Sequence, residues 1–218
     1  NHKIIMNMLK IGITSRVVEA INYVDNRDAL SQDWTRFIEK VNGMPIQIPN
    51  LLSNLQLFLE ELKIDALILS GGDDVGTPPE RDKTEHALID FAIKNDIPIL
   101  GVCRGMQKLN QYFGGTQNTL STKIHVNNDH MISIKQESFL NIFDSEAVQV
   151  NSFHHNVITN DCLGHNLVPF AFSKNDNTVE GFFHSEFPFI GVMWHPEREQ
   201  KKFDELIMNQ LFHRKIKR

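Results

Sequence analysis

Short, almost uninterrupted apolar runs at residues 9–14 (LKIGIT), 64–69 (IDALIL) and 97–102 (IPILGV) recur along the chain, each separated from the next by segments of helical spacing. Runs of this kind suit strands buried on both faces of a parallel sheet. Between them, Trp34, Phe37, Ile38 and Val41 mark one helix, with Ser31 or Asp33 near its N-cap and Gly43 as its stop. A strand at 44–48 follows, which Pro45 and Pro49 confine to the sheet edge. Leu55, Phe58, Leu59 and Leu62 predict an amphipathic helix over 51–63. Ala87, Leu88, Phe91 and Ala92 predict another after Pro78 and Pro79, returning the chain by a right-handed crossover. Residues 15–34 predict a polar connection on the ligand side of the sheet before the first helix.

Past Gly114 the period shifts from helical towards alternating. Segments 130–135, 146–151, 167–172 and 178–183 predict short antiparallel strands on one flank of the sheet. A last apolar strand over 189–194 ends in His-Pro-Glu, and 201–217 closes the chain as a helix. The pattern gives one α/β domain over 1–218: an open, mostly parallel sheet with flanking helices and a few antiparallel strands. Residues 1–7 are expected to be a leader or remnant, with Met6 or Met8 as the starting residue.

One position changes this picture from architecture to chemistry. Cys103 stands where the 97–102 strand gives way to a helix, with Gly101 and Gly105 on either side of it. Small residues there permit a sharp turn and close helix–strand packing. A sulfur at a helix N-terminus faces unpaired N–H groups, which favours the thiolate and makes Cys103 a candidate nucleophile. Cys162, with no such elbow, reads as a buried inert thiol.

Composition narrows the remaining classes. Apolar residues make up 41% and charged residues 22%, as in ordinary globular domains. With 22 basic and 27 acidic residues the net charge is −5, which gives no electrostatic footprint for nucleic acid or an anionic membrane. No apolar run reaches the roughly 18 residues of a membrane span. Two cysteines make no disulfide framework, so a reducing, cytoplasmic setting is expected. The ten histidines, His125, His130, His154 and His155 among them, fit no zinc spacing, so no metal and no cofactor are expected. The basic end HRKIKR reads as a solvated helix terminus.

A thiolate needs a base, and the base an orienting acid. His195 and Glu197 lie two apart at a strand end, stiffened by Pro196, and suit those roles. Gly71 and Gly72, in SGGDD, can offer N–H donors to an oxyanion. Arg104 next to the nucleophile suits a contact to an anionic substrate group or a buried acid. Arg16, Arg27 and Arg81 are candidates for gripping a negative leaving group, and Trp34 and Trp194 for core or pocket wall.

GVCRGMQ and MWHPE resemble the two signature motifs of class I glutamine amidotransferases. More narrowly, GVCRGMQKLN, SGGDD, RDKTEHALI and VNSFHHNVI resemble the gamma-glutamyl-gamma-aminobutyrate hydrolase-like branch, the C26 peptidase family. The likeness runs from the first strand to HPE and implies a flavodoxin-like sheet. It implies Cys103, His195 and Glu197 as the catalytic triad and the N–H groups of Gly72 and Arg104 as the oxyanion hole. By the same resemblance Gln107 helps hold the glutamyl end, Ser152, Phe153 and His154 line the pocket, and Gly71 and Asp73 contact substrate. One departure stands out: only DVGTPPE separates Asp73 from Arg81, where the branch generally carries a longer segment with a Pro-Tyr-Gly element. The difference lies on the substrate side and bears on the leaving amine.

The implied activity is a free-standing hydrolase that takes a small-molecule γ-glutamyl amide through a thioester. A glutaminase subunit feeding ammonia to a partner synthase, and a non-catalytic binding module, are the alternatives. A homodimer is a further expectation.

Overall fold

The computed structural model describes residues 8–120 and 125–213. The leader expected at 1–7 and the basic end beyond His213 lie outside the described residues. The first half runs β1 (Leu9–Thr14), a hairpin of β2 (Arg16–Glu19) and β3 (Asn26–Ala29), α1 (Gln32–Lys40), β4 (Gly43–Ile48) and α2 (Leu55–Leu62). It continues through β5 (Ala66–Leu69), α3 (Pro79–Asn95), β6 (Ile99–Val102) and α4 (Arg104–Tyr112). The second half holds β7 (Asn118–Thr119), β8 (His130–Ile134), α5 (Glu137–Phe143), β9 (Ala147–Val150) and β10 (Asn156–Val157). After these come β11 (Leu167–Ser173), β12 (Val179–His184), β13 (Phe189–Val192), α6 (Pro196–Glu199) and α7 (Lys202–Phe212).

Among the described residues one nine-stranded sheet forms in the order β4-β1-β5-β6-β13-β12-β11-β8-β9. β4 through β13 pair in parallel, and β12, β11, β8 and β9 extend that flank antiparallel. β4 is the edge strand its prolines required, paired only with β1. Because strand side chains alternate, the sheet feeds two cores. Ala66, Ile68, Leu100 and Val102 pack with Trp34, Phe37 and Ile207 on one face; Leu67, Leu69 and Ile99 pack with Leu88, Ala92 and Leu109 on the other.

Besides the short β7–β10 pair and α6, three segments depart from the sequence expectation. Residues 16–29 form the β2–β3 hairpin instead of an irregular connection, in register Arg16↔Ala29 to Glu19↔Asn26. Its side chains are mostly exposed or half-buried, so no strong alternation announces it. α2 begins at Leu55 rather than 51, because the Asn54 side chain accepts from Leu57 N at 3.0 Å and caps it there. α5 has no counterpart in the sequence expectation: seven residues are too short to establish a period, although Phe139, Ile142 and Phe143 fall on one buried side.

Candidate active site

Four strands end at one edge, and their following residues, Ser15 after β1, Ser70 to Asp73 after β5, Cys103 after β6 and Trp194 to His195 beyond β13, meet there. Such carboxyl edges are where open α/β sheets bind ligands.

Cys103 carries φ 51° and ψ −104°, a left-handed conformation that a residue with a Cβ adopts at a cost of about 1–3 kcal/mol. Its N–H donates to Val192 O at 2.8 Å, which pins the turn to the neighbouring strand. The elbow needs its glycines. A Cβ on Gly105 would collide with the Leu69 carbonyl, and one on Gly101 would stand 2.7 Å from Gly105 O. The thiol is 7% exposed and opens into the cleft.

His195 caps α6 with Pro196 in its first turn, which brings Glu197 back against the ring. His195 Nδ1 and Glu197 Oε1 are 2.7 Å apart, both groups buried. With Nδ1 engaged, Nε2 is the ring nitrogen left for Cys103, which lines the same cleft. Burial alone would lower the imidazole pKa, but the bonds and charges of Cys103 and Glu197 override it and raise the value to about 10. The backbone is held too: His195 N donates to Asn151 Oδ1 at 2.8 Å, and Asn151 Nδ2 donates to His195 O at 3.0 Å.

The turn after β5 is gripped from within. Arg81 is fully buried and donates to Gly72 O and Ser70 O at 2.6 Å and to Gly71 O at 3.2 Å. Glu85, also fully buried, accepts from Arg81 Nε and Thr14 Oγ1 and pairs with Arg104 Nη1. Arg104 further donates to Asp82 Oδ1 at 2.7 Å. Arg81, expected to grip a leaving group, is therefore an internal brace, because carbonyl, hydroxyl and carboxylate partners on its own turn and helix use up its donors. Arg104 takes the buried-acid role. Its backbone N–H begins α4, and Gly72, at φ 85°, faces the same cleft.

The cleft encloses about 400 Å³. Gly71, Gly72, Asp73, Gln107, Phe153 and His154 all line it, together with the three triad candidates and Arg104. Asp73 accepts from Arg81 Nη1 at 3.0 Å and Val17 N at 3.2 Å, so its carboxylate also ties the hairpin to the floor. Gln107 Nε2 donates to Asn156 O at 3.4 Å. Ser152 does not reach the cleft: it is fully buried and its hydroxyl donates to His125 O at 2.7 Å, bracing the wall from behind. Arg27 does not reach it either, since it pairs with Asp25 and Tyr23 on the exposed hairpin. Arg16 does, with a half-exposed guanidinium 3.6 Å from Asp73.

Arg198 carries no signal in the expected site, yet its guanidinium lies 3.9 Å over the Phe153 ring at the cleft wall. Its place one helical turn after His195 in HPER was the available clue. Cys162 is half-buried rather than buried, and hydrogen bonds from Thr116 and Thr159 lower its pKa. Trp34 lines the cleft, while Trp194 is core and donates to Asp204 Oδ1 at 2.9 Å. Linear spacing also conceals a juxtaposition of histidines: His125 and His154 meet Glu180 with ligand atoms within 4.8 Å of one another. The expectation of no metal rests on spacing alone, and chain distance does not limit what a sheet brings together.

The Peptidase C26 family profile matches residues 10–197. The gamma-glutamyl-CDP-amidate hydrolase of Campylobacter jejuni is 31% identical over 211 residues, covering 93% of this chain and 96% of that one. The glutamine amidotransferase-like protein YvdE of Lactococcus lactis is 39% identical over 172 residues, covering 66% and 71%. Among solved structures, a GMP synthase component from Thermoplasma acidophilum superposes with a TM-score of 0.72 at 23% identity, over 94% of this chain and 93% of that one. That likeness establishes the shared class I glutamine amidotransferase fold. With the profile spanning most of its length, the chain belongs to the Peptidase C26 family and is a hydrolase acting on carbon–nitrogen bonds.

Proposed function

We propose that the protein hydrolyses a γ-glutamyl amide through a thioester on Cys103. The observation that carries this reading is the convergence of Cys103, His195 and Glu197 on one cleft at the strand ends, with His195 Nδ1 2.7 Å from Glu197 Oε1. The Cys103 thiolate attacks the γ-carbonyl, forming a C–S bond. The resulting oxyanion is held by the N–H groups of Gly72 and Arg104, each such donor being worth about 3–4 kcal/mol. The C–N bond breaks as His195 passes its proton to the departing nitrogen. Water then adds to the thioester, gives its proton to His195, and releases glutamate with the thiolate restored.

The nitrogen substituent is proposed to be anionic. Arg16, half-exposed and 3.6 Å from Asp73, and Arg198, stacked on Phe153, stand at the cleft, while the other nearby cations, Arg81 and Arg104, are fully buried against Glu85. The Campylobacter relative, named for a γ-glutamyl-CDP-amidate, fits that charge. A phosphoryl group or a carboxylate-bearing amine would both suit two such forks.

The test is glutamate release, followed by mass spectrometry, from glutamine, neutral N-alkyl γ-glutamyl amides, γ-glutamyl amino acids and a γ-glutamyl phosphoramidate. Release from an anionic amide at a rate well above glutamine, lost by about 10⁴-fold or more in Cys103→Ala, supports the reading. Release from glutamine only, or only after a partner protein is added, moves the function to ammonia supply.

A further inference from the structure

Behind the cleft wall, three acceptor groups point at one another with no proton between them. His154 Nδ1 lies 2.9 Å from Asn156 O, and since a carbonyl only accepts, that nitrogen carries the hydrogen. His154 Nε2 is then a bare lone pair, and it faces Glu180 Oε1 at 3.7 Å. His125 Nε2 lies 2.8 Å from Asp176 Oδ2 and donates to it, leaving Nδ1 as a second lone pair, 3.8 Å from the same Glu180 oxygen. His130 Nε2 stands 3.3 Å from Oε1 on a further side. His125, His154 and Glu180 are each at most 4% exposed, and among the described residues His125 Nδ1, His154 Nε2 and both Glu180 oxygens have no hydrogen-bond partner.

Burying lone pairs against a carboxylate is costly unless a cation serves them. A proton on His130 would answer one Glu180 oxygen and leave the other two nitrogens facing it. A metal dication answers all of them at once. We infer that His125, His154 and Glu180, whose ligand atoms lie within 4.8 Å of one another, form a structural zinc site, with His130 beside Glu180 outside the ligand set.

The chemistry of the donor set agrees. Two imidazoles and a carboxylate are zinc ligands, and both histidine nitrogens lie 3.7–3.8 Å from the same Glu180 oxygen, near the roughly 3.3–3.5 Å that tetrahedral bonds of about 2.0–2.2 Å set between neighbouring ligand atoms. Both first-named histidines have the outer partner that fixes a ligating tautomer, a carboxylate for His125 and a backbone carbonyl for His154. The site would also serve the cleft. Glu180 belongs to β12, His125 and His130 come from the segment entering β8, and His154 continues from Asn151 and Phe153, which hold the backbone and ring of His195. Zinc would therefore fasten the 151–154 wall to the central sheet.

The experiment is metal analysis of the full chain, expressed with zinc and purified without chelator, in a Cys103→Ala background that removes the competing thiolate. The inference predicts about one zinc per chain, and affinity weakened about 10–100-fold by Asp176→Asn, a change at the half-exposed outer partner that leaves the core packed. Glu180→Gln should abolish retention. Zinc added at about a thousand times its Kd to chelator-treated protein should raise Tm by roughly 10 °C, and Co²⁺ should give a tetrahedral visible spectrum with no thiolate band. Zinc well below one per chain with Tm indifferent to added zinc would overturn the inference. So would metal that is bound by the wild type and lost in Cys103→Ala, since it would belong to the cleft.

Discussion

In the proposed reaction Glu197 acts through a single proton. Its carboxylate holds His195 Nδ1–H at 2.7 Å, and with Cys103 it raises the imidazole pKa from 6.5 to about 10 against the opposing effect of burial. Glu197→Gln keeps an oxygen for the same hydrogen bond but removes the charge. The basic limb of the kcat/KM profile should then fall from near 10 towards 6.5, with kcat at neutral pH reduced by about 10²–10⁴-fold. A basic limb that stays in place would mean that Glu197 does not set the proton affinity of the ring. In the same proposal Arg16 and Arg198, which line the cleft, act at the other end of the substrate. Each Arg→Ala change should raise KM for an anionic amide by about tenfold, roughly 1.4 kcal/mol, while KM for glutamine is little changed, and added salt should shrink that difference. Equal losses on both substrates would place these side chains on the glutamyl half.

The crossover through α3 does more than connect two strands. Arg81 and Glu85, one turn apart on its buried side, tie the turn after β5, the end of β1 through Thr14 and the start of α4 through Arg104. Removing one member leaves charges buried without a partner, so Glu85→Ala should cost about 3–5 kcal/mol, measured by urea unfolding. The strands and helices that carry Cys103, His195 and Glu197 are legible because apolar runs and glycine turns mark them locally. The role of Arg81 is not. In the sequence it is a cation near a substrate turn, and only the fold shows that the turn's carbonyls point back at it. Ser152 misleads for the same reason, since a residue inside a pocket motif can face either way. The β2–β3 hairpin, exposed on both faces, offers no burial signal, and the His125–His154–Glu180 grouping joins residues far apart in the chain.

At the scale of the whole molecule, two buried groups make stability depend on pH in the same direction. His195 binds its proton more tightly folded than unfolded, so its contribution is complete below 6.5 and is lost as pH rises towards 10. Asp204, buried beneath Trp194, has its pKa raised from 3.8 to about 7, chiefly by burial. Its contribution is complete below 3.8 and fades as pH rises to 7, beyond which folding must bury a charged carboxylate. The shift corresponds to about 4 kcal/mol at most. The two windows, 3.8 to about 7 and 6.5 to about 10, overlap only near neutrality, and separate substitutions tell them apart. Asp204→Asn removes the titration and keeps one oxygen for Trp194 Nε1, while its amide nitrogen takes the place of the oxygen that accepts from Lys201 N. Urea unfolding across pH should show the lower slope flattened in that variant and the upper slope unchanged, whatever uniform offset the lost Lys201 N bond adds. Glu197→Gln should do the converse, flattening the decline between 6.5 and 10 and sparing the lower one. A decline between 3.8 and 7 that survives Asp204→Asn would assign the acid-side slope to other carboxyl groups and leave Asp204 as a packed cap of α7 alone.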